Sequence, residues 1–170
     1  MARKFDNTDL IAETLRTLLD RQLIQDLFTR YYSDLGGADA AAFGKYFVED
    51  AELDVNGIVV RGPEQIAELY RRVAADKPRR AGTFRMLLSN PQIEVTGNTA
   101  TARFLWTQLL NDSLKGPPQL IEQGREFDAL VKRDGEWRIT KRVVIADSGL
   151  PDLFDATYSP RTDYELRVDD

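Results

Sequence analysis

The sequence predicts an α+β fold, in which a curved antiparallel β-sheet wraps around an N-terminal helix and leaves a cone-shaped hollow. Two observations predict it. The first half of the chain alternates helical segments with one short strand pair, and the second half is a run of four strand-like segments joined by turns. Helices on one face of an antiparallel sheet define this class. The concave side of such an α+β barrel is where a small molecule can bind.

The N-terminal helix is predicted from apolar residues at helical spacing between Leu10 and Leu35. The pair Gly36-Gly37 after it is a strong stop signal. We expect a break near Asp20, which would separate a short leading arm, residues 1–17, from the main helix.

Turn dipeptides and apolar periodicity divide the rest of the chain. The predicted elements are a short helix from Ala38 to Phe47, two short strands between Glu52 and Val60 around Asn56-Gly57, an amphipathic helix that opens at Pro63 and ends before Pro78, and strands from Thr83 to Val95, Thr99 to Asn111, Leu120 to Lys132 and Glu136 to Asp147. The domain therefore covers residues 1–147. We expect residues 148–170 to form an irregular tail.

The composition is that of one globular domain, with 170 residues, 42% hydrophobic and 30% charged. The net charge of −5 does not describe a nucleic-acid surface. No apolar stretch approaches membrane-spanning length, and the first residues are charged rather than signal-like. We therefore expect a cytoplasmic protein without nucleic-acid or membrane partners.

The chain contains neither Cys nor His. The first absence excludes disulfides, thiolate nucleophiles and Cys-based metal sites. The second removes the usual general base near neutral pH and the commonest metal ligand. Any catalysis must therefore use carboxylates, Tyr, Lys, Arg, backbone groups or water, and we expect no metal and no cofactor.

Several segments together resemble SnoaL-like domain proteins of the nuclear transport factor 2-like superfamily. They are Leu19 to Tyr32, Phe47 to Ala51, Gly62 to Ile66, Leu88 to Pro91 with Ile93 to Val95, and Arg133 to Ile139. Each segment is short, but their order and spacing along most of the chain carry the resemblance. The superfamily includes polyketide cyclases, ketosteroid isomerases, dehydratases, a dehydrochlorinase and a cofactorless deformylase of lignin-derived diarylpropanes. It also includes dioxygenase β subunits and non-catalytic binding domains, so the fold alone does not give the function.

The resemblance implies which positions face the hollow. The dehydratase and dehydrochlorinase branch uses an Asp at the end of the main helix and a His on the first long strand. Gly36 and Met86 occupy the matching positions here, so both groups are missing. Tyr31 matches a helix tyrosine that binds or polarises substrate, and Arg142 matches a pocket arginine on the last strand. The resemblance also implies a homodimer or homotrimer.

Three carboxylates share parity on the third long strand, namely Glu122, Glu126 and Asp128. Such a face is usually the solvated one. If it is concave instead, a buried Glu gains a raised pKa and can act as an acid or base near neutral pH. Strict alternation puts Arg142 in water, on the face opposite Ile139, whereas the family position points it inward.

The remaining candidates form a wall. Phe84, Met86 and Leu88 make one strand face apolar, and Trp106 and Gln108 alternate together on the next strand. Each has an ordinary alternative, because core packing explains an apolar face, a Trp or a Tyr equally well. The expected substrate-binding residues are Tyr32, Leu53, Phe84, Met86, Trp106, Gln108 and Val144.

The sequence thus favours a cofactor-independent lyase or isomerase acting on a hydrophobic aromatic or polycyclic molecule. Its expected catalytic residues are Tyr31, Glu122, Glu126 and Arg142. The reaction would be an acid–base elimination or a retro-aldol-type cleavage, for example dehydration or deformylation of a lignin-derived diaryl compound. Two alternatives stay open. One is a small-molecule-binding protein without chemistry, and the other is an accessory subunit like a dioxygenase β subunit.

Overall fold

The computed structural model describes residues 7–35, 40–76, 83–150 and 157–160. Its elements are α1 (Asn7–Leu35), a 3₁₀ helix (Ala40–Tyr46), β1 (Phe47–Val55), β2 (Ile58–Arg61), α2 (Gly62–Asp76), β3 (Thr83–Thr96), β4 (Thr99–Asn111), β5 (Gln119–Arg133) and β6 (Glu136–Ser148). The six strands form one curved, unclosed sheet in the order β2-β1-β6-β5-β4-β3. The predicted α+β class is confirmed. The sheet is mixed rather than purely antiparallel, because β1 pairs with β6 in parallel.

Helix α1 runs without interruption through the position where a break was predicted. Asp20 is only 4% exposed. Its carboxylate accepts hydrogen bonds from Lys132 Nζ at 2.6 Å and from Trp137 Nε1 at 3.0 Å. The prediction of a break was wrong, because the polar residue that suggested one is satisfied by partners on the sheet. Asp20 is instead the first buried residue of α1.

The segment after α1 also differs from its predicted boundaries. A 3₁₀ helix occupies Ala40–Tyr46, and β1 begins at Phe47, earlier than the expected start at Glu52. Positions 38 and 39 of the predicted helix lie outside the described residues. The predicted turn between β1 and β2 is present, with φ of 52° at Asn56 and 86° at Gly57. Positive φ at both central residues is what a two-residue type I′ hairpin requires.

The later elements match the predicted ones closely. Helix α2 begins at Gly62, one residue before the expected Pro63. The four long strands begin and end within a residue of their predicted limits. Turn signals set these limits locally, which is why they could be predicted well.

The main core lies between the helices and the concave face of the sheet. Its fully buried members come from α1, β1, α2, β5 and β6 and include Ile24, Phe28, Tyr31, Leu53, Ile66, Leu130 and Ile139. A smaller cluster lies on the opposite face of β5 and β6, formed by Phe127, Ala129, Val143 and Ile145. Both faces of the middle of β5 are therefore buried, which is why burial does not alternate between Gly124 and Leu130.

An irregularity in β6 changes which side chains point inward. The register with β5 shifts between Ala129 and Leu130, so that Leu130 lies opposite Ile139 while Asp128 lies opposite Arg142. Thr140 is the extra residue of this β-bulge, and its hydroxyl donates to Ala129 O at 3.1 Å. Both Ile139 and Arg142 therefore point inward. The expectation from strict alternation was wrong on this strand because one inserted residue inverts the parity.

The ends of the chain are described in part. No helix among the described residues is long and apolar enough to cross a membrane. Of the tail expected at 148–170, only 148–150 and 157–160 are described, and these residues are neither helix nor strand beyond Ser148. The ring of Tyr158 lies against Gly57 in the β1–β2 turn.

Candidate active site

Cross-strand register places a polar group at the centre of the concave face. Glu126 and Asp128 occupy consecutive inward positions of β5, and Arg142 lies opposite Asp128 on β6. Leu53 of β1 neighbours Arg142 on the other side. Phe104 of β4 lies opposite Glu126. Three charged side chains are thus surrounded by apolar neighbours within the core.

Arg142 holds this group together. Its Nη2 donates to Glu126 Oε2 at 2.7 Å and its Nη1 donates to Asp128 Oδ1 at 3.2 Å. The side chains of all three residues are 0% exposed. Charged groups are almost never buried so completely unless they are paired. Buried ion pairs also interact far more strongly than those in water, because the surrounding dielectric is low.

Helix α1 covers this group with aromatic side chains. Arg142 Nη2 also donates to the Tyr32 hydroxyl at 2.7 Å, and that hydroxyl in turn donates to Glu126 Oε2. The Arg142 guanidinium lies 4.3 Å from the Tyr31 ring centroid and 5.2 Å from that of Phe28. Cation–π contacts of this kind stabilise a desolvated guanidinium. Glu126, Asp128, Arg142 and Tyr32 are called the Arg142 cluster below.

Tyr31 contributes through its ring rather than through a direct bond to the carboxylates. Its hydroxyl shares a hydrogen bond with the hydroxyl of Tyr70 on α2. Burial raises the pKa of both phenols, so both stay protonated across the ordinary pH range. The phenol hydrogen-bonded to Glu126 and Arg142 is therefore that of Tyr32, not that of Tyr31.

The cluster holds two carboxylates but one cation. Burial raises the pKa of Asp128 well above its usual range, and the Glu126 charge adds to this rise while Arg142 opposes it. Burial also raises the pKa of Glu126, against the opposing effects of Arg142 and the Tyr32 hydroxyl. Burial alone would lower the pKa of Arg142, but the two carboxylates raise it well above its usual range. The guanidinium therefore stays charged, and the carboxyl pair retains a proton more readily than two exposed acids would.

Three polar atoms of the cluster have no hydrogen-bond partner among the described residues. They are Glu126 Oε1, Asp128 Oδ2 and Arg142 Nε. A buried polar atom without a hydrogen-bond partner destabilises the fold by about 1–3 kcal/mol, and most buried polar atoms in proteins have a partner. These atoms offer two acceptors, or one acceptor and a carboxylic donor, together with one cationic donor. A ligand with a hydroxyl next to a carbonyl has the complementary groups.

The predicted wall residues lie on the inward face, where Leu53 and Val144 neighbour the cluster and Met86 and Gln108 share the row of Glu122. Trp106, Gln108 and Leu53 are buried, whereas Tyr32, Phe84, Met86 and Val144 are half-buried. Met86 pairs with Gln108, and Val144 with Glu126. The half-buried members place the more open end of the concave face near Met86, away from the closed end at Ile139.

Trp106 packs against the inward face of the sheet. Its indole Nε1 donates to Arg125 O at 3.2 Å. A Cβ atom added to Gly124 would lie 2.5 Å from the indole and 2.0 Å from Ile145 O. Only glycine fits there, because any side chain would collide with the ring and with the neighbouring backbone. Trp106 therefore has a structural role in the sheet, and this role does not conflict with the predicted contact between its ring and a ligand.

The structure does not bring every predicted catalytic residue together. Glu122 lies opposite Gln108, is only half-buried, and is separated from Glu126 by four residues along β5. Four strand residues span about 13 Å. Glu122 is therefore outside the Arg142 cluster. Asp128 is inside the cluster, although it was not among the expected catalytic residues. The parity pattern included Asp128 but could not show that the pairing of β5 with β6 places it opposite Arg142.

Two cavities are lined by described residues. One of about 360 Å³ is bordered by Leu27, Tyr46 and Trp137 beside the β5–β6 turn. The other, of about 310 Å³, lies next to the irregularity of β3 and borders the cluster, because its lining includes Glu126 and Phe104 as well as the outward-facing residues Arg103, Leu105, Arg125 and Phe127. Arg142 and Asp128 line neither cavity, so Glu126 is the cluster residue through which the second cavity meets the site. Within the described ranges, no group of three or more carboxylates is placed to hold a metal ion.

Comparison with solved structures gives the fold relatives of this chain. A protein of unknown function from Mycobacterium tuberculosis, Rv3472, is 28% identical, with a TM-score of 0.67 over 79% of this chain and 75% of that one. A nuclear transport factor 2-like protein with a cystatin-like fold from Novosphingobium aromaticivorans is 27% identical, with a TM-score of 0.67 over 86% and 94%. A candidate scytalone dehydratase from the same organism is 20% identical, with a TM-score of 0.65 over 79% and 89%, and shows likeness of fold alone.

Comparison of sequence alone gives fewer matches. No curated protein matches the chain. The SnoaL-like domain matches residues 16–143, which include α1 from Arg16 onward, the whole of β1 to β5 and the Arg142 cluster. This match covers most of the chain and agrees with the fold and with the segments quoted from the sequence. The chain belongs to the SnoaL-like domain family.

Proposed function

We propose that this protein is a cofactor-independent lyase or isomerase that acts on a hydrophobic, aromatic or polycyclic small molecule. The observation that carries the proposal is the pair of fully buried carboxylates on one arginine, each with an oxygen atom that no described residue satisfies. A buried acid–base pair suits an elimination or a retro-aldol-type cleavage, because each reaction moves one proton onto the protein and another off it. The candidate scytalone dehydratase among the fold relatives is named for a dehydration, which is an elimination.

The raised pKa values suggest how the two carboxyl groups divide the work. In a dehydration, ionised Glu126 takes the proton from a carbon next to a carbonyl group, and the C–H electron pair forms the new C=C bond. The C–O bond on the neighbouring carbon breaks, and protonated Asp128 supplies the proton that releases the hydroxyl as water. Glu126 ends protonated and Asp128 ionised, so one proton transfer between them or through solvent resets the pair. A difference in pKa between two neighbouring acids is the general basis for such assignments.

The same groups serve a retro-aldol-type cleavage. The carboxylate then takes the proton of a β-hydroxyl group, the C–C bond breaks to give a carbonyl product and an enolate, and the protonated acid returns a proton to the enolate carbon. In both reactions negative charge develops on a carbonyl oxygen. Arg142 carries a fixed positive charge and an Nε–H without a partner among the described residues, and a preorganised donor in a dry site stabilises such an oxyanion strongly.

The side chains on the inward face support the proposed class of substrate. Phe84, Met86 and Trp106 present apolar surface on the inward face of β3 and β4, and Val144 does so on β6. Gln108 supplies one polar contact among them. A flat hydrophobic molecule with a single hydroxy-carbonyl group fits this distribution, because most ligand sites are apolar with few polar anchors. A pure carrier of apolar molecules has no need of two desolvated carboxylates.

Paired variants test this proposal. The purified protein is incubated with diaryl and fused-ring β-hydroxy ketones, and loss of water or release of formaldehyde is followed by mass spectrometry. We expect Glu126→Gln and Asp128→Asn each to lower turnover by a factor on the order of 10²–10⁴. Glu122→Gln is the matched control on the same strand and should retain most of the activity.

The outcomes separate the alternatives. Binding of these ketones to the wild-type protein without any turnover would make it a carrier and overturn the proposal. Equal losses from Glu122→Gln and Glu126→Gln would remove the Arg142 cluster from the chemistry. Purification of the native protein with a second, different subunit would favour the accessory-subunit alternative.

A further inference from the structure

The first part of α1 carries a row of exposed apolar side chains that the proposed function does not use. Ile11, Leu15, Leu18 and Leu19 are each between 53% and 61% exposed. They lie before Asp20, the first buried residue of the helix. We call these four residues the arm stripe. Isolated exposed leucines are ordinary, but a continuous apolar row on a projecting helix marks an interaction surface.

The arm stripe points away from the chain's own sheet. Successive residues of a helix turn by about 100°, so residues nine apart point in opposite directions. Ile11, Leu15, Leu18 and Leu19 are nine residues before Asp20, Ile24, Leu27 and Phe28, and each of the latter is at most 4% exposed. The helix therefore has two apolar faces, one in its second half toward the sheet and one in its first half toward solvent. The described part of the sheet cannot cover the arm stripe while α1 keeps its present contacts.

We propose that the arm stripe packs against the arm stripe of a second copy of this chain. The spacing of Ile11, Leu15 and Leu18 is four residues and then three, which is the spacing of side chains at a two-helix interface. The positions that continue this row, Thr8 and Gln22, are uncharged. A surface that is apolar and uncharged over this length complements a second copy of itself, since no charge is left buried when the two meet.

The area and the charge support this partner. Each of the four side chains exposes about 100 Å². Together they give about half of the roughly 800 Å² that each side of a stable interface buries, and the flanking residues of the arm can supply the rest. A membrane surface fits less well, because helices that lie on anionic membranes have Lys and Arg on their polar face. Within the described part of the arm stripe's helix, residues 7–19, the charged residues are Asp9 and Glu13 against Arg16 alone.

The oligomeric state of charged variants tests the proposal. We expect the wild-type protein to be a dimer by gel filtration with light scattering, and the double variant L15E/L18E to be a monomer with an unchanged circular dichroism spectrum. Leu10→Glu is the matched control, because Leu10 is 57% exposed on the same helix but lies opposite Leu19. This variant should stay dimeric.

The absence of cysteine permits a second test that does not depend on folding losses. In a chain without Cys, any cross-link through one introduced Cys must join two copies. Leu15→Cys should be captured as a dimer by a short bis-maleimide linker at micromolar concentration, and Leu10→Cys should not. A monomeric wild-type protein, a dimeric L15E/L18E variant, or equal cross-linking from both cysteines would each overturn the proposal. So would sedimentation of the wild-type protein with phosphatidylcholine vesicles but not of L15E/L18E, if neither forms dimers.

Discussion

Replacement of Arg142 by methionine tests whether the burial of Glu126 and Asp128 depends on this arginine. Methionine fills much of the same space but has no charge, so Glu126 and Asp128 lose their only cation in the cluster. The ion pairs are 2.7 and 3.2 Å long and all three side chains are 0% exposed. Removing one partner of a pair buried to this degree costs about 3–5 kcal/mol. Since small domains unfold with about 5–15 kcal/mol, the variant should fold marginally at best.

The pH dependence of this loss follows from the raised pKa values of Glu126 and Asp128. An acid whose folded pKa lies above its unfolded value stabilises the fold fully below the unfolded pKa. That stabilisation is lost as the pH rises through the folded pKa. Without Arg142 to oppose burial, both pKa values rise further. The Arg142→Met variant should therefore be most stable in acid and lose about 1.4 kcal/mol per pH unit per proton from about pH 4 upward.

Urea unfolding followed by the fluorescence of the buried Trp106 and Trp137 measures both effects. Arg61→Met is the matched control, because the Arg61 side chain is 73% exposed in its pair with Glu52 and should cost at most about 1 kcal/mol. Neutralising the partners as well, in R142M/E126Q/D128N, should recover most of the loss. A loss below about 1 kcal/mol at pH 7, or one that is the same at pH 5 and pH 8, would refute the reasoning that the two carboxylates depend on Arg142 for their burial.

Two further predictions concern residues next to the cluster. Tyr32→Phe should lower turnover about 10-fold or more, because it removes a hydrogen bond to a charged group. Tyr31→Phe should lower it less, and equal rate constants for the two variants would contradict this order. Gly124→Ala should lower the free energy of unfolding by about 1–3 kcal/mol, because the added Cβ collides with Trp106 and with backbone. Gly116→Ala is the control in the same urea titration and should leave this free energy nearly unchanged, because its added Cβ lies near only the Ser113 side chain.

The sequence could predict the helices and strands because their limits are set by local chemistry. Asn56-Gly57 and Asp134-Gly135 adopt the positive φ angles that tight hairpins need, and their neighbours alternate as strands must. The lack of Cys and His also limits the possible chemistry through composition alone. The prediction of a break at Asp20 was wrong for the opposite reason. The partners of Asp20, Lys132 and Trp137, are more than a hundred residues away along the chain.

The candidate site was predicted in part. Glu126 was named from parity and Arg142 from resemblance, while Tyr32 was expected only to contact substrate; the structure brings these three side chains together. Glu122 was grouped with Glu126 because both share the parity of β5, but sharing a face does not mean sharing a contact. Asp128 could not be chosen over Glu122 without knowing which residue of β6 lies opposite each carboxylate.

The sequence by itself determined the fold class, the order of elements and the kinds of side chain from which a site can be built. Only the tertiary structure decided which carboxylates meet the arginine. The reason is a single inserted residue, Thr140, which inverts the alternation of β6 so that Ile139 and Arg142 both point inward. Alternation is a local rule, whereas the register that places Arg142 against Asp128 depends on pairing between strands.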